Sequence, residues 1–166
     1  MATDTTSTTD TTSTTSTTDT TSTTADTSTT ADLTAAVGAL YAAFGQGDVP
    51  YILGQLSDDV VWEEGIRSTN LPWLRAGTGK QHVGEFFTAL GSGLQFTTFQ
   101  PLTIAQSGNE VVAVIREGAI ALATGAVVAE DLYVHVWRFD ANGKVAWFRH
   151  IGDWHHQEVA MRAGTS

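Results

Sequence analysis

The chain has 166 residues, no cysteine and a formal net charge of −10. That balance argues against nucleic acid or an anionic membrane surface as partner, and the lack of thiols excludes a disulfide framework and a thiolate metal site. No basic segment leads into an apolar run and no stretch of 18 apolar residues occurs, so neither a signal peptide nor a membrane span is expected and the cytoplasm is the default location.

Residues 1–32 are almost wholly Thr, Ser and Asp and contain no aromatic residue. Such a segment buries too little apolar surface to offset chain entropy, and we expect a disordered tail. Asp4, Asp10, Asp19, Asp26 and Asp32 supply five of the negative charges without a Lys or Arg beside them, which leaves −5 on the rest of the chain. One domain is expected over residues 33–160, followed by a short tail at 161–166.

From Asp32 the pattern becomes helical. Asp32 is a plausible N-cap, Leu33, Val37, Leu40, Tyr41 and Phe44 recur at spacings of three and four, and Gly45 and Gly47 stop the run. Asp48 and Pro50 begin a short second helix with Val49, Ile52, Leu53 and Leu56 inward. A strand is predicted over Val60–Glu64, a long loop over Gly65–Gly79, and a third helix from Lys80 to about Leu90 with Val83, Phe86 and Phe87 inward. Strands over Leu94–Ala105, Glu110–Ala123 and Val127–Phe139 follow, with turns at Ser107-Gly108-Asn109 and Thr124-Gly125. Helices first and long strands after them make an α+β domain in which the helices cover one face of a curved antiparallel sheet.

The most informative stretch is Asp131–His156. Alternation places Tyr133, His135, Trp137 and Phe139 on one face and Leu132, Val134, Val136 and Arg138 on the other. Asp140-Ala141-Asn142-Gly143 is turn chemistry. With that loop, Phe139 pairs with Lys144 and His135 with Phe148, so Tyr133, His135, Trp137, Phe148 and His150 form an aromatic wall with two imidazoles in it. The opposite face, with Val134, Val136, Val145, Trp147 and Ile151, has no helix left to cover it, and we expect a homodimer through this outer face.

Together, Gly47-Asp48-Val49, Leu56 to Glu64, the Gly77–Leu90 helix with Phe86-Phe87 and the Trp137–Val145 hairpin resemble the nuclear transport factor 2-like superfamily, and within it the SnoaL-like and ketosteroid-isomerase-like proteins. The resemblance covers about residues 33–160. It implies a cone-shaped sheet wrapped around about three N-terminal helices, open at one end to an apolar pocket and often dimeric. It also implies roles: Glu64 falls where ketosteroid isomerases carry the carboxylate base, His135 where they carry the acid of the oxyanion hole, and Tyr41 one place from their hydrogen-bonding tyrosine. A histidine in place of the acid changes the pKa of that donor.

By its own chemistry Glu64 is either a general base, with its pKa raised by neighbours such as Trp62 or Trp73, or a strand-end carboxylate facing water. His135 and His150 are an acid and base, donors to a ligand oxygen, or hydrogen-bonded core histidines. Arg116, read with Val112, Val114, Gly118, Ile120 and Leu122 on one side of its strand, either points into the pocket to hold an anionic group or pairs with a carboxylate such as Glu64. Tyr41, Trp62, Trp73, Tyr133, Trp137 and Phe148 complete the expected ligand-binding set. Asp153-Trp154-His155-His156, read as extended chain, sends its two imidazoles apart and offers no clear third ligand, so no metal site is expected, nor any other cofactor. Gly77-Thr78-Gly79-Lys80 lacks the spacing of a phosphate loop. Two functions follow: an isomerase, cyclase or dehydratase moving protons on an apolar carbonyl compound, in the manner of a ketosteroid isomerase or a polyketide-cyclase-like lyase, or a non-catalytic module that holds a ligand or a partner in the same pocket.

Overall fold

The computed structural model describes residues 32–67 and 70–162; the expected N-terminal tail lies outside the described residues, apart from Asp32. Helix α1 spans Leu33–Gln46 because Asp32 caps it, its Oδ1 accepting from Ala35 N at 3.2 Å, and because Leu33, Val37, Leu40 and Tyr41 bury one stripe. Gly47, at φ 71°, ends it. Asp48 caps α2 (Val49–Gly54) in the same way, through Tyr51 N at 3.0 Å, with Pro50 in the first turn. Leu56, expected on the buried side of that helix, instead opens strand β1 (Leu56–Trp62), where it is fully buried.

The remaining elements are β2 (Gly77–Thr78), α3 (Gly79–Gly93), β3 (Leu94–Ser107), β4 (Glu110–Ala121), β5 (Val127–Phe139), β6 (Val145–Ile151) and α4 (His155–Arg162). The strands form one open sheet in the order β2-β1-β6-β5-β4-β3. It is mixed: β1 runs parallel to β6, while the other neighbours are antiparallel. Alternate residues of β4 and β5 turn to a concave side, where they meet α1 and α3 in a single core. This is the expected α+β cone. Among the described residues no helix is long and apolar enough to cross a membrane.

Three details differ from the sequence reading and each moves a residue. The β5–β6 register pairs His135 with His150 and Trp137 with Phe148, two residues away from the expected pairing. The loop behaves as read, with Asp140 Oδ1 accepting from Asn142 N and Lys144 N at 2.8 Å each and Gly143 at φ 73°. A shift between Arg138 and Phe139 then leaves Ala146 without a partner of its own, which is a bulge. A displacement of two residues keeps every side chain on its predicted face past the bulge, but Val145, before it, turns into the core rather than outward. In β4 the inward set is Val111, Ala113, Ile115, Glu117, Ala119 and Ala121, opposite to the parity expected, so Arg116 is exposed on the convex side and does not enter the pocket. Finally, the chain after β6 is a helix. Asp153 Oδ1 accepts from His155 N at 2.9 Å, Arg162 pairs with Glu158 at 3.0 Å, and Gln157 and Ala160 are buried.

Candidate active site

The concave face and the inner sides of the helices form an open-mouthed cleft. Its walls are mostly aromatic. Trp62 stacks on Phe148 at 4.1 Å between ring centroids, Trp137 lies 4.2 Å from Phe148 and Phe86 stands edge-on to Trp62 at 5.4 Å. Into this apolar lining the fold brings two carboxylates and two imidazoles: Glu117 from β4, His135 from β5, His150 from β6 and, behind His150, Glu63.

Glu63 was missed by the sequence reading. Alternation along β1 sends Trp62 inward and so should send Glu63 outward and Glu64 inward. The strand stops at Trp62, however, and Glu63 takes φ 56°, a left-handed conformation that costs a non-glycine residue about 1–2 kcal/mol. Its N–H still reaches Phe148 O at 3.0 Å and its carbonyl accepts from Ile66 N at 3.1 Å, so the chain turns here and the side chain swings into the interior. Glu63 is completely buried, with one carboxylate oxygen hydrogen-bonded to His150 Nδ1 and the other accepting from His150 N at 3.2 Å. Glu64 is exposed, accepts from Trp147 Nε1 at 2.9 Å, and does not line the cleft.

The two imidazoles sit 4.3 Å apart by ring centroids, nearly perpendicular, in unlike surroundings. Burial is the largest influence on His135 and the neighbouring His150 adds to it, so that its pKa is lowered to about 4 despite Glu117. Trp137 Nε1, a donor only, gives its hydrogen to Tyr41 Oη at 3.0 Å, and Tyr41 Oη shares a hydrogen bond with His135 Nδ1 at 3.1 Å. In the tautomer in which Tyr41 donates, the ring hydrogen rests on Nε2, which lies 3.3 Å from Glu117 Oε1 but outside hydrogen-bond alignment. Burial also acts against the charged form of His150, but the charge and hydrogen bond of Glu63, with Glu117 beyond, outweigh it, and its pKa is raised. Burial thus favours the neutral form of one imidazole, and the carboxylates favour the protonated form of its neighbour. Burial likewise pushes the Tyr41 hydroxyl above its ordinary pKa and that of Tyr133 up to about 12, keeping both phenols neutral hydrogen-bonding groups.

Of the residues expected from the sequence, His135, His150, Tyr41, Trp62, Trp73, Trp137 and Phe148 all border the cleft. Tyr133 shares the inward face but stands behind it, packed on Trp154 at 5.2 Å between ring centroids. Glu64 and Arg116 are outside. Besides Glu63, the sequence reading missed Glu117 and Gln157. Gln157 belongs to α4 and joins two walls, since its Oε1 accepts from Trp73 Nε1 at 3.3 Å and its Nε2 donates to Tyr133 Oη at 3.4 Å. His155 and His156, weighed as metal ligands, are exposed on that helix away from the imidazole pair. Among the described residues the grouping with ligand character is Glu117, His135 and His150, each offering one donor atom within 4.8 Å of the others.

Comparison with known proteins gives the same architecture. Residues 37–148 match the family model described as a SnoaL-like domain. A search of curated proteins found no match. Among solved structures the chain is similar to a nuclear transport factor 2-like protein of unknown function from Burkholderia pseudomallei, at 27% identity and a TM-score of 0.61, covering 78% of this chain and 95% of that one. It is also similar to TerC co-crystallised with polyporic acid, at 24% identity and a TM-score of 0.65, covering 77% of this chain and 96% of the other. A third is a Mycobacterium tuberculosis protein in complex with estradiol-17beta-hemisuccinate, at 21% identity and a TM-score of 0.59, covering 71% and 91%.

Proposed function

The chain belongs to the SnoaL-like domain family, and from that premise we propose that it is a proton-transfer enzyme, an isomerase, cyclase or dehydratase, acting on an apolar carbonyl compound held in the aromatic cleft. The observation that carries this reading is the buried Glu63–His150 pair. A carboxylate on Nδ1 keeps an imidazole protonated and oriented, leaving Nε2 as the atom that gives or takes a proton. The ligands of two structural relatives, polyporic acid and an estradiol ester, are ring compounds bearing oxygens, and they support the substrate class.

In this scheme the substrate's rings lie against Trp62, Trp137 and Phe148 with the carbonyl oxygen toward His150. His150 Nε2–H donates to that oxygen as charge develops on it, and Glu117 takes the proton from the adjacent carbon. The C–H electron pair becomes the enol double bond, and the carbonyl π pair moves to oxygen. His135, neutral and fixed by Tyr41, holds Nε2–H toward Glu117. Isomerisation, ring closure or loss of a β-hydroxyl then differ only in where the enol's electrons go next. We also infer a homodimer through the convex face, where Leu132 and Ile151 are each 53% exposed and Val134, Val136 and Trp147 are half-buried.

The test needs no knowledge of the natural substrate. Apolar cyclic ketones incubated with the chelator-treated protein in D2O should lose α-protons faster than in buffer alone, followed by proton NMR. His150→Gln and Glu117→Gln should each slow this roughly 10²-fold or more, the usual share of general acid–base catalysis, while the exposed Glu64→Gln keeps the wild-type rate. Ketones that bind without any exchange would favour the ligand-binding module instead.

A further inference from the structure

We propose that Glu117, His135 and His150 form a binding site for a first-row transition-metal dication, of the zinc or cobalt(II) type, at the floor of the cleft. This goes beyond the proton-transfer reading, because it assigns to the same groups a second occupant.

Four observations support it. The first is the donor set: one carboxylate and two imidazoles, brought together from three adjacent strands, with no thiolate and few oxygens. That chemistry suits borderline metals and not calcium or magnesium, which demand oxygen ligands. The second is spacing. A tetrahedral site with bonds of about 2.0–2.1 Å sets its ligand atoms roughly 3.4 Å apart, and His135 Nε2 lies 3.3 Å from Glu117 Oε1. The three donors, one atom from each residue, lie within 4.8 Å of one another.

The third is an orphaned atom. His135 is 3% exposed and its Nε2, facing Glu117, has no hydrogen-bond partner. A buried polar atom left in that state is destabilising, and a metal would relieve it. Loading would move the ring hydrogen of His135 to Nδ1, where Tyr41 Oη, 3.1 Å away, accepts it by rotating its own hydroxyl hydrogen. The fourth is the surrounding shell. Metal-bound histidines characteristically give their other N–H to a carboxylate or another fixed acceptor, and Glu63 already holds His150 Nδ1 in that way. Glu63 and Glu117 together bring a formal −2 when ionised, which a protonated His150 offsets only in part, and among the described residues no Lys or Arg lines the cleft; a dication can replace the displaced proton.

Three protein ligands leave a position open toward the aromatic walls, as in catalytic rather than structural metal sites. A cation there displaces the Nε2 proton of His150 to solvent and takes the freed lone pair together with the Glu117 oxygen that the proposed proton transfer uses. Loaded and metal-free protein are therefore distinct chemical states.

The full chain, stripped with a chelator and dialysed, should be titrated with ZnCl2 by calorimetry and with CoCl2 by visible absorption, in the absence of any carbonyl compound. We expect one ion per chain at micromolar or tighter affinity, with the intensified visible bands of low-coordinate cobalt. Glu117→Gln, which keeps shape and fold, and His150→Gln should each weaken binding at least tenfold, whereas the double variant His155→Ala/His156→Ala should bind as wild type. Absence of binding at 100 µM metal, or binding abolished by the His155/His156 change and untouched by the cleft variants, would overturn the site. Because the exchange assay uses chelator-treated protein, failure of the metal site leaves the proton-transfer result standing, and the converse holds.

Discussion

Replacing Glu63 by Gln separates this site from the one that simple alternation predicts. In the native chain the Glu63 carboxylate accepts from both His150 Nδ1 and His150 N. Hydrogen bonds to a charged partner contribute about 1.5–3 kcal/mol and neutral ones about 0.5–1.5, so losing the charge alone costs roughly 1 kcal/mol or slightly more. The loss applies to both bonds, since the amide carries no charge and its NH2 end can serve Nδ1 only after the ring has given up its proton there. The expected destabilisation is about 2–3 kcal/mol by urea unfolding at pH 7, measured by circular dichroism on chelator-treated protein. Glu64→Gln, the same change one residue along, should change stability by less than about 0.5 kcal/mol, because Glu64 is solvent-exposed. The two variants should also differ in a second readout. Burial opposes protonation of His150, and with Glu63 neutral only Glu117 is left to oppose burial, so the His150 titration followed by NMR should fall from above its ordinary value to below it. Equal stability losses in the two variants, or an unmoved His150 titration in Glu63→Gln, would refute the placement of Glu63.

The remaining predictions concern pH and assembly. His135 has a folded-state pKa lowered to about 4 from an ordinary 6.5, so its contribution is fully present above pH 6.5 and is lost as pH falls toward 4. The unfolded chain takes the proton first in that window, which amounts to up to about 3 kcal/mol by pH 4; urea midpoints of wild type and His135→Gln should converge as pH drops, and parallel profiles would contradict the burial. For assembly, light scattering at micromolar concentration should give a dimer, and Trp147→Asp, which also removes the stacking of Arg138 over the Trp147 ring at 4.2 Å, should give a monomer. A monomeric wild type would dispose of the convex-face interface.

Much of the fold was legible because caps and alternation are local. Asp32 and Asp48 do cap α1 and α2, and β5 runs over the predicted Val127–Phe139 with its inward face as read. The failures lie where one residue breaks a period. A bulge at Ala146 moved the hairpin register by two and turned Val145 inward, and nothing in the composition of Lys144-Val145-Ala146 marks an unpaired residue. Helix α4 had a signal that was passed over. Asp153 offers a cap, and Glu158 and Arg162 are spaced for an i,i+4 pair, but Val159 is exposed and the apolar stripe is thin, so hydrophobic periodicity alone did not find it.

The site failures have the same origin and show why a neighbouring carboxylate was chosen in place of the buried one. Alternation assumes that a strand continues, and the continuation of β1 would have carried Glu64 inward. A left-handed residue at the strand's end inverts the next side chain without any glycine to announce it, and here that residue is Glu63 itself. In β4 the run Val111-Val112-Ala113-Val114-Ile115 is apolar on both faces, so parity could not be read from hydrophobicity. What decides it is cross-strand pairing: Ala113 lies opposite His135, on the concave side, and counting forward from Ala113 by twos reaches Glu117 and not Arg116. The His135 face, which was read correctly, therefore contained the information needed to find Glu117. Strand pairing had to be known before it could be used.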